Sequence, residues 1–529
     1  MLKIAFCVAI GLLELVRPAG LDFTHRNSPT GQKYLIETMG GGVALFDYNN
    51  DGLLDIFLVN SGRLSDPVKP PADFARHDPA YWNRLYRQNP DGSYTDVTAA
   101  AGLAEAGNQY GMGVATGDYN NDGFVDLYVT NFGANTLYRN NGDGTFSDVT
   151  AEAGVAGGGW SASAGFFDYD NDGRLDLFVT RYLDWDFARN ILCGTPVHSY
   201  CRPDKFAAAP SLLYHNEGNG RFRDVSARSG VAAVKGKSLG VAFNDYDDDG
   251  FTDVFVANDG MEQFLFHNNG DGGFRERALE AGVAFADNGA PYAGMGVAFS
   301  DYDNDGRPDI VVTNLALEKY ALYRNEGHGQ FLYASLTTGL AELSARSSGW
   351  GVGLLDFDND GWKDLFAAQS HVLDNVERIH SRLKYLEPPA LYRNAAGKFE
   401  RTELALPSVA GRGAAFGDLN NDGRMDAVVS VLGGRPLVLL NRGTGGHWLT
   451  LKLVGTRANR DGVGAKVRVG KQWAYATTSG SYLSANDGRV HFGLGAEQRV
   501  TVEVVWPGGR RQTLENVAAD RIVTVKENE

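Results

Sequence analysis

Hydrophobic and polar positions alternate in short bursts along almost the whole chain. Runs of β-branched and aromatic residues a few positions long are separated by clusters of Gly, Asn and Asp, the pattern of strands joined by tight turns. The bursts recur in a fixed order. A Gly-rich apolar run (GGGVALF, GMGVATG, SASAGFF, SLGVAFN, GMGVAFS, GWGVGLL, GRGAAFG) comes first. A second run follows an acidic loop (IFLVN, LYVTN, LFVTR, VFVAN, IVVTN, LFAAQ, AVVSV), and a third reads LYRQ, LYRN, LYHN, LFHN, LYRN, LYRN and LLNR. A fourth, such as FSDVT or FRDVS, completes the unit. Four strands repeated seven times predict an all-β fold, a seven-bladed β-propeller over residues 21–445. The Gly-rich first strand suits the crowded position near the axis. The last unit lacks its fourth strand, and Leu21–His25 (LDFTH) is expected to supply it and close the ring.

Residues 446–527 break the pattern. HWLTLKLV, AKVRV, QWAYATT, RVHFGL, VTVEVVW and RIVTV read as strands of a small, sandwich-like β domain without acidic loops.

The acidic loops carry the chemistry. Seven nine-residue segments, with starts 50 to 77 residues apart, place oxygen-bearing side chains at positions one, three, five and nine and Gly at position six. The candidate ligands are Asp47, Asn49, Asp51 and Asp55; Asp118, Asn120, Asp122 and Asp126; Asp168, Asp170, Asp172 and Asp176; Asp245, Asp247, Asp249 and Asp253; Asp301, Asp303, Asp305 and Asp309; Asp356, Asp358, Asp360 and Asp364; and Asp418, Asn420, Asp422 and Asp426. Converging hard oxygens predict calcium, up to seven ions. An EF-hand needs a bidentate Glu at position twelve and flanking helices, whereas here a strand follows at once. No His or Cys lies within the nine residues, which argues against zinc. These positions hold 25 of the 65 acidic residues, and seven Ca²⁺ would take the net charge of −16 to about −2.

The acidic balance argues against a nucleic-acid partner, and no stretch is long and apolar enough to span a bilayer. Residues 1–20 resemble a weak secretory signal: Lys3 precedes an apolar run that Glu14 interrupts. Export to a secreted, periplasmic or cell-surface location would allow Cys193 and Cys201 to form a disulfide. It would also meet the calcium levels that extracellular loops need.

The repeat unit resembles the FG-GAP and VCBS repeats of integrin α-subunit propellers. The segments HWLTLKLVGTRANRDGVGAKVRV, SGSYLSANDGRVHFGLG and VEVVWPGGRRQTL resemble an ASPIC/UnbV domain. Together they resemble bacterial relatives of cartilage acidic protein. The resemblance implies the propeller, calcium and an extracellular setting, and no defined substrate.

Three long segments, Ser61–Arg84, Tyr182–Ser211 and His371–Ala390, all follow the second strand and should crowd one face. They offer Trp82, Trp185, His198, His371 and Asp374 as a possible ligand face for an extracellular glycan or protein. For any single aromatic the favoured reading is that it packs its loop onto the propeller. No catalytic set is visible, so an adhesion or recognition module ranks ahead of an enzyme, for which a polysaccharide lyase or dehydratase on the loop face is the alternative. His215 and His267 fall within the third-strand repeat and read as structural.

Overall fold

A computed structural model describes residues 12–69, 71–104 and 109–528. Most of the apolar start of the segment read as a leader, residues 1–11, lies outside the described residues. Among the described residues, seven antiparallel sheets follow one another, each with four strands around one acidic loop, the fourth with a short fifth strand, Tyr292–Ala293, added to Asp253–Met261. The inner strands are Val43–Phe46, Tyr110–Gly117, Ser161–Phe167, Ser238–Asn244, Val297–Ser300, Gly349–Leu355 and Gly411–Gly417. Each touches the next, and the last touches the first, so the sheets close into a propeller-like ring. Small residues permit that approach. A Cβ on Gly42 would come within 2.3 Å of the Leu483 carbonyl oxygen and 2.7 Å of Gly113 Cα.

The seventh sheet corrects one expectation. Its outer strand is Leu13–Val16, paired antiparallel with Leu437–Asn441 in the register Leu13 with Asn441 and Val16 with Val438. Leu21–His25 does not form that strand. It runs extended beside the sheet, with the His25 amide donating to the Gly434 carbonyl at 2.9 Å and Phe23 buried. Alternation explains the choice. Leu13 faces the core while Glu14 points outward and accepts from Arg442 at 2.8 Å. The charge that interrupts an apolar leader is the solvent side of a strand.

The C-terminal residues form two sheets over one core. A three-stranded sheet holds His447–Val454 between Val490–Gly495 and, in parallel, Arg521–Lys526. A four-stranded sheet runs in the order Gln472–Tyr475, Lys466–Val469, Arg499–Val505, Arg511–Ala518. Leu449, Leu451, Val467, Phe492, Val504 and Trp506 fill the space between them.

This domain sits on the acidic-loop side of the ring and sends residues 478–487 into its centre. Thr478 Oγ1 donates to the Thr116 carbonyl at 2.8 Å, the Ser481 amide to Val297 at 2.6 Å, Ser481 Oγ to Ala414 at 2.7 Å, and the Val114 amide to Leu483 at 3.0 Å. These bonds therefore reach the inner strands of three different sheets. From the opposite side the turn Leu35–Thr38 descends, and Tyr482 OH meets the Met39 carbonyl at 2.8 Å. Tyr482 and Leu483 are fully buried, so the axis of the ring is filled with side chains.

Candidate metal loops and the opposite loop face

All seven loops share one hydrogen-bond frame. The position-nine Asp lies almost wholly buried at the start of the second strand. Its Oδ2 accepts the amide of loop position two at 2.9–3.2 Å. Its Oδ1 accepts a third-strand amide at 2.7–2.8 Å. The position-one Asp accepts the amide of the position-six Gly in every loop, for example Asp47 from Gly52 at 2.9 Å and Asp418 from Gly423 at 2.7 Å. That Gly is left-handed in each loop, with φ between 79° and 93°, which is why no other residue stands there. The position-one and position-nine carboxylates are thus held by backbone amides in every loop.

The donor set suits a hard cation. Asp168, Asp170 and Asp176 converge within one loop, as do Asp245, Asp247 and Asp249, and Asp301, Asp303 and Asp309. Asp170 Oδ1, Asp247 Oδ1, Asp301 Oδ1 and Asp358 Oδ1 are buried without a hydrogen-bond donor. Orphaned anionic oxygens inside a protein are costly unless a cation meets them. Burial pushes the carboxyls of Asp55, Asp168 and Asp364 up to about 8, with neighbouring carboxylates adding to the effect. Asp118 rises to about 7, from burial and then from Asp461 of the C-terminal domain.

On the opposite face the three long loops meet. Cys193 and Cys201 are joined by a disulfide. Ser199 Oγ donates to Asn375 Oδ1 at 3.0 Å, and Asn375 Nδ2 to the His198 carbonyl at 2.7 Å, which ties the third loop to the sixth. Lys33 pairs with Asp374 at 2.6 Å. Trp185 is 4% exposed and packs against Trp160, Phe132 and Phe187, so its ring anchors the loop and does not present a surface. Trp82 lies over the Arg84 guanidinium at 5.2 Å and donates to the Arg76 carbonyl. His371 is buried, its Nδ1 accepts the Leu373 amide at 3.0 Å, and burial together with Arg412 lowers its pKa to about 4. His198 is exposed. The geometry does not gather these residues into one acid–base set. A cavity of about 270 Å³ does open beside His371, lined by Tyr182, Tyr200, Asp259, Glu318 and Trp350. Asp259 accepts the Tyr182 hydroxyl at 2.6 Å, and burial raises its carboxyl to about 6.

The FG-GAP-like repeat family matches residues 47–129, 118–179, 245–312 and 301–367, and the ASPIC and UnbV family matches residues 455–529. This chain is an FG-GAP-repeat protein with a C-terminal ASPIC and UnbV domain. Human cartilage acidic protein 1 is 29% identical over 324 residues, covering 58% of this chain and 46% of the human protein. The Xenopus tropicalis protein is 26% identical over 317 residues, covering 54% of this chain and 45% of that one. The matched region thus spans about half the length of these relatives. Among solved structures, an Agrocybe aegerita lectin recognising non-reducing terminal N-acetylglucosamine is similar at 16% identity and TM-score 0.39, covering 79% of this chain and 90% of the lectin. BBS1N in complex with ARL6DN is similar at 9% identity and TM-score 0.43, covering 82% and 98%. Both scores are low, and the ring described above rests on its own sheets.

Two sets of residues in the FG-GAP ring escaped the sequence reading. The last residue of the third-strand repeat reaches back to the preceding loop. Asn140, Asn216, Asn268, Asn325, Asn394 and Asn441 donate Nδ2 to the carbonyls of Tyr48, Tyr119, Tyr169, Tyr246, Tyr302 and Phe357 at 2.6–2.8 Å, and Gln88 donates to Leu419 at 2.9 Å. That belt is continuous round all seven sheets. The second belt runs between loops. The position-four Asn, left-handed in φ, donates to the position-six carbonyl of the next loop: Asn50 to Gly123, Asn121 to Gly173, Asn171 to Gly250, Asn304 to Gly361, Asn359 to Gly423 and Asn421 to Gly52. Its one gap is Asp248, which cannot donate and pairs instead with Lys466 of the ASPIC and UnbV domain. That domain also reads Asn121 through the Arg460 amide, Asn359 through His491 and Asn421 through Arg489. The signal was present as an invariant N or D at position four, but a residue pointing away from the ligand point has no meaning in one repeat considered alone.

Proposed function

We propose that this protein is an extracellular recognition module whose ring is loaded with calcium and whose opposite face binds a glycan or protein ligand. The observation that carries the calcium reading is the shared loop frame with its orphaned, buried carboxylate oxygens. Calcium would be held by positions one, three, five and nine of each loop. It would supply the positive charge those oxygens lack and fix the turn between first and second strands. The disulfide and the relation to cartilage acidic protein support the extracellular setting. Among the described residues no helix is long and apolar enough to cross a membrane.

The ligand site in this reading is the cavity at the head of the axis. Asp259 and Glu318 offer acceptors at its wall, and Tyr182, Tyr200 and Trp350, themselves almost wholly buried, back it with apolar rings. Because the other end of the axis is filled by residues 478–487, a ligand can enter only from the long-loop face. The test is an array of glycans and extracellular proteins probed in millimolar calcium and again in chelator. Binding that vanishes in chelator and is weakened at least tenfold by Asp259→Asn supports the module. Binding insensitive to both removes it.

A further inference from the structure

The seven loops are not chemically equal. In the third strand, the residue before the Asn belt faces the loop of its own sheet. In the sixth sheet this is Arg393, whose guanidinium donates to Asp358 Oδ2 at 2.6 Å and Asp360 Oδ2 at 2.7 Å. The first, second and fifth sheets carry Arg87, Arg139 and Arg324 there, and the seventh Leu440. In the third and fourth sheets the residue is His. His215 Nδ1 lies 3.2 Å from Asp176 Oδ1 and 3.5 Å from Asp170 Oδ2, and His267 Nδ1 lies 3.3 Å from Asp253 Oδ1 and 3.4 Å from Asp247 Oδ2. His267 Nδ1 is buried without a hydrogen-bond donor or acceptor in proper geometry, and Asp170 Oδ1 and Asp247 Oδ1 beside these rings are likewise orphaned. Two sheets thus repeat the same departure with similar separations, His215 Nδ1 also lying 3.3 Å from the Tyr169 hydroxyl.

We propose that the third and fourth loops are mixed nitrogen–oxygen sites for a first-row transition divalent cation, with His215 joining Asp170 and Asp176, and His267 joining Asp247 and Asp253. The proposal rests on reading the acidic loops as cation sites and assigns two of them a different ion. Calcium takes oxygen ligands, whereas an imidazole nitrogen favours borderline ions such as zinc and cobalt. The separations fit, because donors about 2.1 Å from such an ion in tetrahedral array lie about 3.4 Å apart. Arg at the same place has no lone pair to offer, so the other loops keep an all-oxygen set. The sequence argument against zinc fails for a spatial reason: the nitrogen comes from 39 residues beyond Asp176 and 14 beyond Asp253, across a strand pairing.

The experiment uses the full chain, stripped with chelator and re-equilibrated in millimolar calcium with micromolar Co²⁺ or Zn²⁺. Retained metal is counted by elemental analysis. We expect one transition ion per histidine site, a loss of one in His215→Arg or His267→Arg, and a loss of both in the double variant. Zn-edge X-ray absorption on the unaltered chain should show imidazole scattering, a readout that does not depend on the variants folding. Equal retention in the double variant, displacement of Co²⁺ by calcium, or an all-oxygen zinc environment overturns the proposal. Calcium counted separately in the same samples tests the other five loops. Its absence with transition metal still bound would sink the calcium reading and leave this one standing.

Discussion

At the scale of single residues, the Asn belt makes a sharp prediction. Asn325 Nδ2 serves both the Tyr246 carbonyl at 2.8 Å and the Pro308 carbonyl at 3.2 Å inside a buried seam. Asn325→Ala leaves both acceptors unpaired, and each costs about 1–3 kcal/mol. Denaturant unfolding should show a loss of about 2–6 kcal/mol. A loss below 0.5 kcal/mol would mean the belt is incidental. Histidines set the acid limit. Burial lowers His25 to about 3 and both His371 and His491 to about 4, so all three stay neutral in the folded state. Their contribution is complete above about 6.5, the unfolded value, and is lost as pH falls toward 4. Replacing His491 by Gln should flatten that acid slope in a pH series of melts, because its ring sits between Thr450 and Asn359 with no acid to receive a charge.

At the scale of elements, the outer strand of the seventh sheet decides how the protein should be expressed. A chain begun at residue 21 lacks Leu13–Val16 and leaves the edge Leu437–Asn441 open. Open edges pair with other chains. Light scattering should show that chain self-associating, while one begun at residue 12 stays dispersed. Identical behaviour would remove the strand from any closing role. The axial insertion is the second element with a measurable weight. Leu483 is fully buried at the centre, and Leu483→Ala should cost about 2–5 kcal/mol.

Much of this was legible from the chain alone, and the reasons are physical. Alternation and repeat spacing give strands because each strand satisfies its own local pattern, as in IFLVN or LYVTN. The loops were legible as a repeated feature because their oxygen-bearing side chains lie within nine residues. What was hidden is what crosses between units: His215 turning toward Asp176, Asn421 reaching Gly52, and Tyr482 reaching Met39. Leu13–Val16 was hidden for another reason, since an apolar start to a chain satisfies a leader and a strand equally well.

At the scale of the whole molecule, metal and pH act together. In the metal-free chain burial holds Asp55, Asp168 and Asp364 near 8, above their unfolded value of about 3.9, so the folded state keeps protons that unfolding releases. Metal-free stability is therefore full at about pH 4, as far as these groups are concerned, and lost as pH rises through 8. Cations held in the loops as proposed would cancel that loss. The drop in melting temperature on adding chelator should accordingly be larger at pH 8 than at pH 5.5. A drop that shrinks with rising pH would contradict the picture of buried carboxylates awaiting a cation.

The gap at Asp248 gives the loop belt a beginning and an end. Followed from donor to acceptor, it starts at the fifth loop, passes through the sixth and seventh, crosses to the first, and stops at the fourth. The crossing from seventh to first joins two sheets that no direct chain connection from one loop to the next holds together, and there the bond is kept. Between the fourth and fifth sheets the backbone runs straight through, and there the bond is replaced by a lysine from the capping domain. The circle is thus fastened by its own side chains at the crossing from seventh to first, where the chain link runs through the outer strand Leu13–Val16, and released to a second domain between the fourth and fifth sheets. Prying that domain away would loosen the ring first along the line between its fourth and fifth sheets.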